Sequence, residues 1–296
     1  MKSAAFTYVR ARDVDEVLAV LAQHGEDARI LAGGQSLVPM MNMRIVTPAI
    51  LIDINEAEGL SGIDVGRDKV RIGATARQFS ALEHDGLRRS VPLLPRALHH
   101  VGHFQTRNRG TLCGSVAHAD PSAETPLALL VLQGEVELRS SRGRRSVAAD
   151  RFFRSALTTD RKADELVTAI SLPAQPARSG SAFAEFALRE GDYAIVAAAC
   201  ALSLDAGGKV DRFSLGFGGV ADRPLLCAAG QVRDMTVAEV RKDVPLLISS
   251  LTADLPEPPA DLQATSAFRR QLVGVLGADV VARALDEALS GLEGRS

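Results

Sequence analysis

Cysteine is scarce in this sequence, and its scarcity excludes two kinds of site. The 296 residues include only three cysteines, Cys113, Cys200 and Cys227. A [2Fe–2S] cluster usually takes four Cys thiolates, so we do not expect this chain to hold one by itself. An odd number of cysteines at wide spacing also argues against a disulfide framework. If the protein transfers electrons with an iron–sulfur centre, that centre lies on another polypeptide.

Net charge and long apolar runs are lacking as well. The formal net charge of −2 gives no field that would hold DNA, RNA or an anionic membrane. The most apolar segment, residues 195–204, is far shorter than the ~20 residues that span a bilayer. Residues 1–10 contain no apolar core of the kind found in signal peptides. We therefore expect a cytoplasmic protein without membrane insertion and without a nucleic-acid partner.

Two glycine-centred segments, about eighty residues apart, stand out in what the sequence does contain. The first is residues 30–37, with Gly33 and Gly34, and the second is residues 109–121, with Gly110 and Gly114. Glycine allows a close approach of backbone to ligand, and successive exposed N–H groups in such turns bind anions. One segment alone is more often a structural turn. Two together favour a diphosphate that bridges two larger groups, and hence a dinucleotide cofactor.

Several common catalytic motifs are missing. There is no Gly-x-x-x-x-Gly-Lys-Ser/Thr loop and no Gly-x-Gly-x-x-Gly that opens a helix after a strand. Residues 216–219 come nearest, but Pro224 follows too soon for a clean helix start. Gly-x-Ser-x-Gly is also absent. A P-loop kinase, a Rossmann dehydrogenase and a serine hydrolase are therefore disfavoured.

Four motifs along the chain resemble the FAD-carrying medium subunits of molybdenum hydroxylases. These are the flavoprotein subunits of the carbon monoxide dehydrogenase type, in the xanthine oxidase family. The motifs are residues 32–39 with Arg44, Pro48 and 51–54; residues 107–111 with 114–115 and 118–121; residues 191–196; and residues 218–220 with Pro224. Order and spacing are kept over nearly the whole chain. Cys113 departs from the pattern, because the family often has Gly there.

The resemblance implies an α+β fold with two domains. Residues 1–176 would form a two-part FAD-binding domain of the p-cresol methylhydroxylase type, with subdomains of about 1–56 and 57–176. Residues 177–296 would form a C-terminal α+β domain, a three-stranded sheet with helices. Local patterns agree: Asp13 and Gly25 mark the ends of a helix, residues 28–31 and 50–54 favour strands, and residues 173–181 favour a linker. Residues 237–250 and 266–292 favour helices.

The resemblance also assigns cofactor-binding residues. They are Ala32, Gly33, Gly34, Gln35, Ser36, Leu37, Thr111, Gly114, Ser115, His118, Asp120, Leu166 and Tyr193. The two glycine segments would cradle the diphosphate of FAD, and Asp120 would bind a ribityl or adenosine hydroxyl. Leu166 would contact the flavin ring. Tyr193 would stack on the isoalloxazine; the alternative is a core aromatic at the domain junction.

Three further interpretations concern polar side chains. An amide cannot act as the nucleophile that links flavin to some related oxidases, so Gln35 indicates non-covalent FAD. His118 would be a polar contact near the flavin or would only support its loop. His99 and His103 could share a metal, but zinc sites use three or four ligands and no Glu or Cys is close in sequence. A structural role is favoured for the histidines, and we predict neither a metal site nor a catalytic acid or base in this chain.

The function that follows is that of an oxidoreductase subunit. It would carry FAD and pass electrons from a partner iron–sulfur subunit to an external acceptor. A large molybdopterin subunit and a small [2Fe–2S] subunit would be the partners, assembled as a dimer of heterotrimers. Residues 107–109 would belong to the partner surface or to the phosphate site. Two alternatives stay open: a stand-alone flavin oxidase or reductase acting on a small organic substrate, and an assembly protein without turnover.

Overall fold

A small parallel sheet forms the N-terminal part of the molecule. In the computed structural model, which describes residues 2–293, β1 (Thr7–Arg10) and β2 (Ala28–Leu31) flank the central β3 (Ile50–Asp53). Helix α1 (Val14–His24) connects β1 to β2, and α2 (Leu37–Asn42) follows β2. The Asp13 side chain accepts a hydrogen bond from the N–H of Glu16, and Gly25 ends α1. Both predicted helix ends are therefore confirmed.

An antiparallel sheet of five strands forms the middle of the molecule. Its order is β4 (Ile63–Val65), β5 (Lys69–Gly73), β10 (Leu166–Pro173), β6 (Glu135–Ser140) and β7 (Gly143–Ala148). Between β5 and β6 lie α3 (Gln78–Leu82), α4 (Asp85–Ser90), α5 (Leu93–His100), α6 (Phe104–Arg109), α7 (Leu112–His118) and α8 (Glu124–Val131). Between β7 and β10 lie α9 (Ala149–Phe152), β8 (Phe153–Ser155) and β9 (Thr158–Thr159). Every residue of α8 is buried, so this helix is the centre of the core.

A second antiparallel sheet forms the C-terminal part. It consists of β11 (Ser179–Phe186), β12 (Val196–Leu204), β13 (Val210–Gly218) and β14 (Leu225–Leu226), and α10 (Val237–Lys242), α11 (Val244–Leu251) and α12 (Ser266–Glu293) follow it in the chain. Three strands are long, as the resemblance implied, and the two-residue β14 is too short to leave a sequence pattern. The predicted helix over 237–250 is interrupted at Asp243. This residue leaves helical geometry and accepts a hydrogen bond from Leu246 N–H at the start of α11.

Strand β12 accounts for the most apolar segment of the sequence. Ala197 and Ala199 of β12 belong to the core around α8, whereas Ala198 and Cys200 belong to the core of the C-terminal sheet. Successive side chains of a strand point to opposite faces. Because both faces of β12 are buried, the strand is apolar without alternation. In residues 2–293 no helix combines the length and apolarity needed to cross a membrane.

The connection between the two parts is shorter than predicted. Strand β10 runs through Pro173 and β11 starts at Ser179, so only residues 174–178 connect them. A polar clamp lies next to this connection. The guanidinium of Arg96 on α5 donates to both carboxylate oxygens of Glu287 on α12, at 2.6 and 2.7 Å. The N–H of Ser181 donates to the same carboxylate at 2.8 Å. This clamp joins the C-terminal helix to the middle of the molecule.

Candidate functional site

A cavity of about 820 Å³ lies where the parts of the molecule meet. All cofactor-binding residues assigned from the sequence line it: Ala32, Gly33, Gly34, Gln35, Ser36, Leu37, Thr111, Gly114, Ser115, His118, Asp120, Leu166 and Tyr193. They come from four separate stretches of the chain, and the fold brings all of them together. The volume is typical of a cofactor site.

The first glycine segment, residues 32–37, presents backbone to the cavity. It lies between the end of β2 and the start of α2, and Gly34 has a φ of +72°, which favours glycine. Among the described residues, no hydrogen-bond acceptor lies within reach of the N–H groups of residues 33–36. The Gln35 side chain folds back and donates to the carbonyl of Gly33 at 3.1 Å. The segment therefore offers backbone donors, as expected of an anion-binding turn.

The two glycine segments are in direct backbone contact. A Cβ added to Gly33 would lie 2.5 Å from the carbonyl oxygen of Arg109 and 2.8 Å from Cα of Gly110. Real Cβ atoms do not approach backbone so closely, so this contact requires glycine at position 33. The two glycine segments, which were predicted to bind one diphosphate together, are thus adjacent in the fold.

Two polar side chains that the sequence did not single out hold this contact. Arg77 donates to the carbonyl of Arg109 and, at 2.7 Å, to the side-chain oxygen of Asn55. Asn55 in turn donates to the carbonyl of Ala32 at 2.9 Å. Burial, together with the charge of Arg109, lowers the pKa of Arg77 below its usual range. A single Arg and a single Asn, 22 residues apart in sequence, carry no motif that could have identified them.

The second glycine segment is the start of a helix and not the loop that we expected. Thr111 is the N-cap of α7, and its hydroxyl oxygen accepts a hydrogen bond from the N–H of Gly114 at 3.1 Å. A Cβ on Gly114 would lie 2.6 Å from this oxygen. Thr followed by an apolar run is a helix-start signal, so the start of α7 at Thr111 could have been predicted from the sequence. Gly114 lines the cavity, but its N–H is bonded to the cap.

His118 and Asp120 follow at the end of α7. Ala119 between them has a φ of +55°, which turns the chain out of the helix. Burial lowers the pKa of His118, and the negative charge of Asp120 acts in the opposite direction. One carboxylate oxygen of Asp120 accepts a hydrogen bond from the N–H of Ser122 at 2.8 Å. The other oxygen has no partner of this kind in the described chain and can accept a further hydrogen bond.

Glu124 is a functional candidate that the sequence interpretation missed. It is the first residue of α8, lines the cavity and is only 5% exposed. Burial, and then the charge of Glu185 on β11, raise its pKa to about 8. Glu185 itself lies 3.5 Å from Nδ1 of His100. The available signal in the sequence was an acidic residue at the start of an otherwise apolar helix. Burial of a carboxyl is costly, and buried carboxyls with shifted pKa values are common at functional sites.

Tyr193 lies at the C-terminal side of the cavity. Its side chain is 55% exposed, so the alternative of a core aromatic at the junction is wrong. The neighbouring Gly191 has no room for a Cβ, which would lie 2.7 Å from the ring of His103. Leu166 is buried at the start of β10. An exposed aromatic and a buried aliphatic side chain therefore both contribute apolar surface to the cavity.

A cationic cluster forms another part of the wall. Two cationic side chains, Arg29 and Arg161, line the cavity here together with Glu26. Arg161 donates to the backbone carbonyl of Glu165 at 2.8 Å, and its pKa is lowered by burial and by the charge of Arg29. Within residues 2–293 no group of three His, Cys, Asp or Glu side chains is arranged to hold a metal ion. The wall thus contains the acidic residues Asp120 and Glu124 and, from other stretches of the chain, arginines that lie close to Glu26 and Glu165.

Two residues near the site have structural roles. Cys113 lines the cavity, but its sulfur is buried 3.6 Å from the carbonyl of Ile72, and burial raises the pKa of the thiol to about 12. Arg107 was predicted to lie on a partner surface or at the phosphate. It points inward and donates to the carbonyls of Val101 and Gly102, both at 2.9 Å. Since Gly102 lines the cavity, Nη1 of Arg107 supports a cavity-lining turn, whereas its buried Nε has no hydrogen-bond partner in the described chain. The place of residues 107–109 at a partner surface or at the phosphate stays a prediction.

Comparisons with known proteins cover nearly the whole chain. Residues 4–175 match the FAD binding domain in molybdopterin dehydrogenase. Residues 181–284 match the CO dehydrogenase flavoprotein C-terminal domain. The two matched ranges meet at the short connection between β10 and β11.

Individual relatives agree with these domains. The 6-hydroxypseudooxynicotine dehydrogenase complex subunit alpha of Paenarthrobacter nicotinovorans is 34% identical over 97% of both chains. The carbon monoxide dehydrogenase medium chain of Afipia carboxidovorans is 33% identical over 96% of this chain and 98% of the relative. The solved structure of reconstituted CO dehydrogenase from Oligotropha carboxidovorans superposes with a TM-score of 0.92 at 33% identity, over 97% of this chain and 100% of that one. The chain therefore belongs to the family of FAD-binding medium subunits of the molybdenum hydroxylases.

Proposed function

We propose that the chain binds one FAD non-covalently in the cavity and serves as the electron-transfer subunit of a molybdenum hydroxylase. The observation that carries the proposal is that residues 33–36 line the cavity and that their N–H groups have no hydrogen-bond acceptor in the described chain. Gly33, Gly34 and Ser36 are half-buried and Gln35 is exposed, so these donors are accessible to a ligand, and successive N–H groups in such a turn bind anions. A diphosphate supplies the acceptors that this turn lacks, and Gly33 and Gly34 leave space for its approach.

The remaining cavity residues fit the other parts of FAD. Asp120 has a free carboxylate oxygen for a sugar or ribityl hydroxyl, and Glu124 adds a second carboxyl nearby. Tyr193 and Leu166 provide an aromatic and an aliphatic surface for the isoalloxazine. Thr111, Gly114 and Ser115 support the diphosphate site from α7. Gln35 binds its own loop and has no nucleophilic atom, which supports attachment without a covalent bond.

The bound flavin supplies the redox chemistry, and the protein supplies orientation, electrostatics and exclusion of water. Two groups of the chain can hold protons near it. His118 has a lowered pKa and is neutral at pH 7, so one ring nitrogen can accept a proton. Glu124, with a pKa of about 8, carries its proton at pH 7 and can donate a hydrogen bond.

The partner subunits that we propose follow from the names of the relatives. Their names identify a medium chain and a complex subunit, and all three cysteines of this chain are buried. A small iron–sulfur subunit would therefore deliver electrons to the FAD, and a large molybdopterin subunit would oxidise the substrate. We extend the proposal to a dimer of heterotrimers, with the FAD-binding domain over residues 1–176 and the C-terminal domain over 177–296.

One observation favours a second candidate function. A stand-alone flavin oxidase would need its own acid or base beside the flavin, and Glu124 is a buried carboxyl in the cavity wall. In this case the chain would oxidise a small organic substrate without partners. The same residue also serves the first proposal, because a carboxyl can bind the flavin without taking part in substrate chemistry.

Co-expression with and without candidate partner subunits separates the two functions. The isolated chain should carry FAD that acid precipitation releases into the supernatant, and flavin that stays on the precipitate would contradict non-covalent binding. Only the complex that contains molybdenum and iron should bleach its flavin when substrate is added. If the isolated chain, free of both metals, turns over the same substrate at the rate of the complex, the stand-alone oxidase is correct.

A further inference from the structure

A buried arginine of the C-terminal helix makes contacts that the proposed cofactor site does not yet explain. Arg269, in the first turn of α12, is 3% exposed. Its Nη1 donates to the carbonyl oxygens of Ile195 and Gly219, the latter at 3.0 Å. Its Nη2 is paired with the carboxylate of Asp261. Burial of a charge is costly unless it is paired and hydrogen-bonded, so these bonds fix the side chain in place.

The two carbonyl acceptors lie in different parts of the chain, and each is tied to a cavity-lining segment. Ile195 closes the loop that carries Tyr193, because its N–H donates to the carbonyl of Phe186 at 2.8 Å. Gly219 donates its own N–H to the carbonyl of Pro121 at 3.0 Å. Pro121 directly follows Asp120 and precedes Glu124 by three positions.

The turn at Gly219 requires glycine for this arrangement. Its φ is +74°, and a Cβ would strike the carbonyl oxygen of Ile195. The turn therefore packs directly against the strand end at Ile195 while it bonds to Pro121. This accounts for Gly219 in the motif at residues 218–220, which resembles a family motif although neither of its glycines lines the cavity.

We infer that Arg269 is a positioning residue for the cofactor site. Its guanidinium joins the Gly219 turn to Ile195, and thereby sets the place of Tyr193 relative to Asp120 and Glu124 across the cavity. This inference rests on the proposed binding of FAD in the cavity, and it assigns the C-terminal domain a specific task there. Arg269 touches no cofactor atom itself and acts through backbone carbonyls.

A purely structural role would make a different prediction. If Arg269 only anchored α12, its replacement would lower overall stability without moving the Tyr193 loop. Arg270 offers a matched control, since it is the next residue on the same helix and is also paired with a carboxylate, that of Glu257. Arg270 is exposed and does not line the cavity. The pair Arg269→Lys and Arg270→Lys keeps charge at each position and removes only the guanidinium geometry.

The position of the loop can be measured without cofactor. The sequence has no tryptophan, so Tyr193→Trp introduces a single indole as a fluorescent reporter into the full chain. We would compare emission maximum and acrylamide quenching of this variant, freed of flavin, alone and combined with Arg269→Lys or Arg270→Lys. In parallel, FAD affinity would be measured by flavin fluorescence for Arg269→Lys and Arg270→Lys with Tyr193 intact.

Arg269→Lys should change the emission maximum and quenching of the introduced indole and weaken FAD binding by about tenfold or more, the loss expected when a well-made site is displaced by about 1 Å or less. Arg270→Lys should leave both values unchanged. Equal quenching and equal affinity in the two variants would overturn the inference.

If Arg269→Lys does not fold, Asp261→Asn takes its place. The same direction of change is expected, and unchanged quenching and affinity in Asp261→Asn would overturn the inference. If the unmodified chain fails to bind FAD, the proposed function fails, whereas the quenching comparison still decides whether Arg269 positions the loop.

Discussion

The two glycine segments resemble each other in sequence but contribute differently to the cavity. Residues 32–37 form an open turn in which the N–H groups of residues 33–36 lack acceptors in the described chain. Residues 111–115 start a helix whose N-cap, Thr111, already binds the N–H of Gly114. The first segment offers backbone to a ligand. The second leads through α7 to the titratable side chains of His118, Asp120 and Glu124.

This difference shows that glycine has two physical roles in one site. Gly33 is required because another backbone lies against it, whereas a Cβ at Gly114 would meet only the hydroxyl of the capping Thr111. A displaced backbone shifts everything attached to it, and a displaced hydroxyl can rotate. Substitution of Gly33 should therefore have a larger effect on the cofactor than substitution of Gly114.

The largest effect is expected for Gly33→Val. Its side chain would be forced against the carbonyl of Arg109 and separate the two segments, so FAD should be lost on gel filtration and the affinity should fall by more than about a hundredfold, ~2.7 kcal/mol. Flavin content per chain and titration with FAD measure this. Gly230→Val is the control, because a Cβ at Gly230 meets nothing within 4 Å. Full flavin retention in Gly33→Val would contradict the contact.

A pH effect should come from Glu124, which lies at the start of α8, just after the second segment. The Glu124 carboxyl has a usual pKa of 4.5 and a folded-state pKa of about 8, so the folded protein binds one more proton between these values. The free energy of unfolding of the apoprotein should therefore fall as pH rises from 5 to 8, by a few kcal/mol at most, ~2–4. Glu124→Gln should remove most of this fall in urea unfolding at both pH values.

Glu190→Gln serves as its control, since Glu190 is exposed and lies outside the cavity wall. The charged groups that face Glu124 are Glu185 on β11 and Asp120 before α8. Both disfavour its ionisation and therefore act in the same direction as burial. An unchanged pH profile in Glu124→Gln would show that the carboxyl is not the group responsible.

A smaller effect is expected for Gly114→Ala. The new methyl group would displace the Thr111 hydroxyl and remove the N-cap of α7, which costs about 1 kcal/mol of stability. Thr111→Val removes the same cap by another route. If the cap explains the effect, the double variant should lose no more than about the larger single loss, because both changes remove one interaction. Additive losses would point to a second role for Gly114.

The smallest effect is expected for Gln35→Ala. The side chain bonds to the carbonyl of Gly33 within its own turn, and a hydrogen bond of this kind contributes about 1 kcal/mol or less. FAD affinity should therefore fall by less than about fivefold, and acid should still release the flavin. A loss as large as that of Gly33→Val would mean that the Gln35 side chain, and not the backbone, binds the cofactor.

Local signals in the sequence predicted much of the fold. Asp13 and Gly25 marked a helix, β12 showed as an apolar run, and the family motifs located the residues that converge on the cavity. What could not be predicted depends on contacts between distant residues. Arg77 and Asn55 acquire their role only when the segments after β3 and α6 lie side by side. The raised pKa of Glu124 depends in part on Glu185 of the distant strand β11, and an N-cap at Thr111 was visible but was interpreted as a loop.

The order of the chain has a consequence for how the protein is made. Every residue that lines the cavity precedes α12 in the sequence, yet Arg269 and Glu287 of this helix hold the wall and the middle of the molecule together. Domains generally fold as units during synthesis, the N-terminal domain first. The nascent chain therefore contains every cavity-lining residue before Arg269 and Glu287 have been added. Stable loading of FAD should consequently follow translation of α12, and FAD retention by a nascent chain would indicate that this helix has been synthesised.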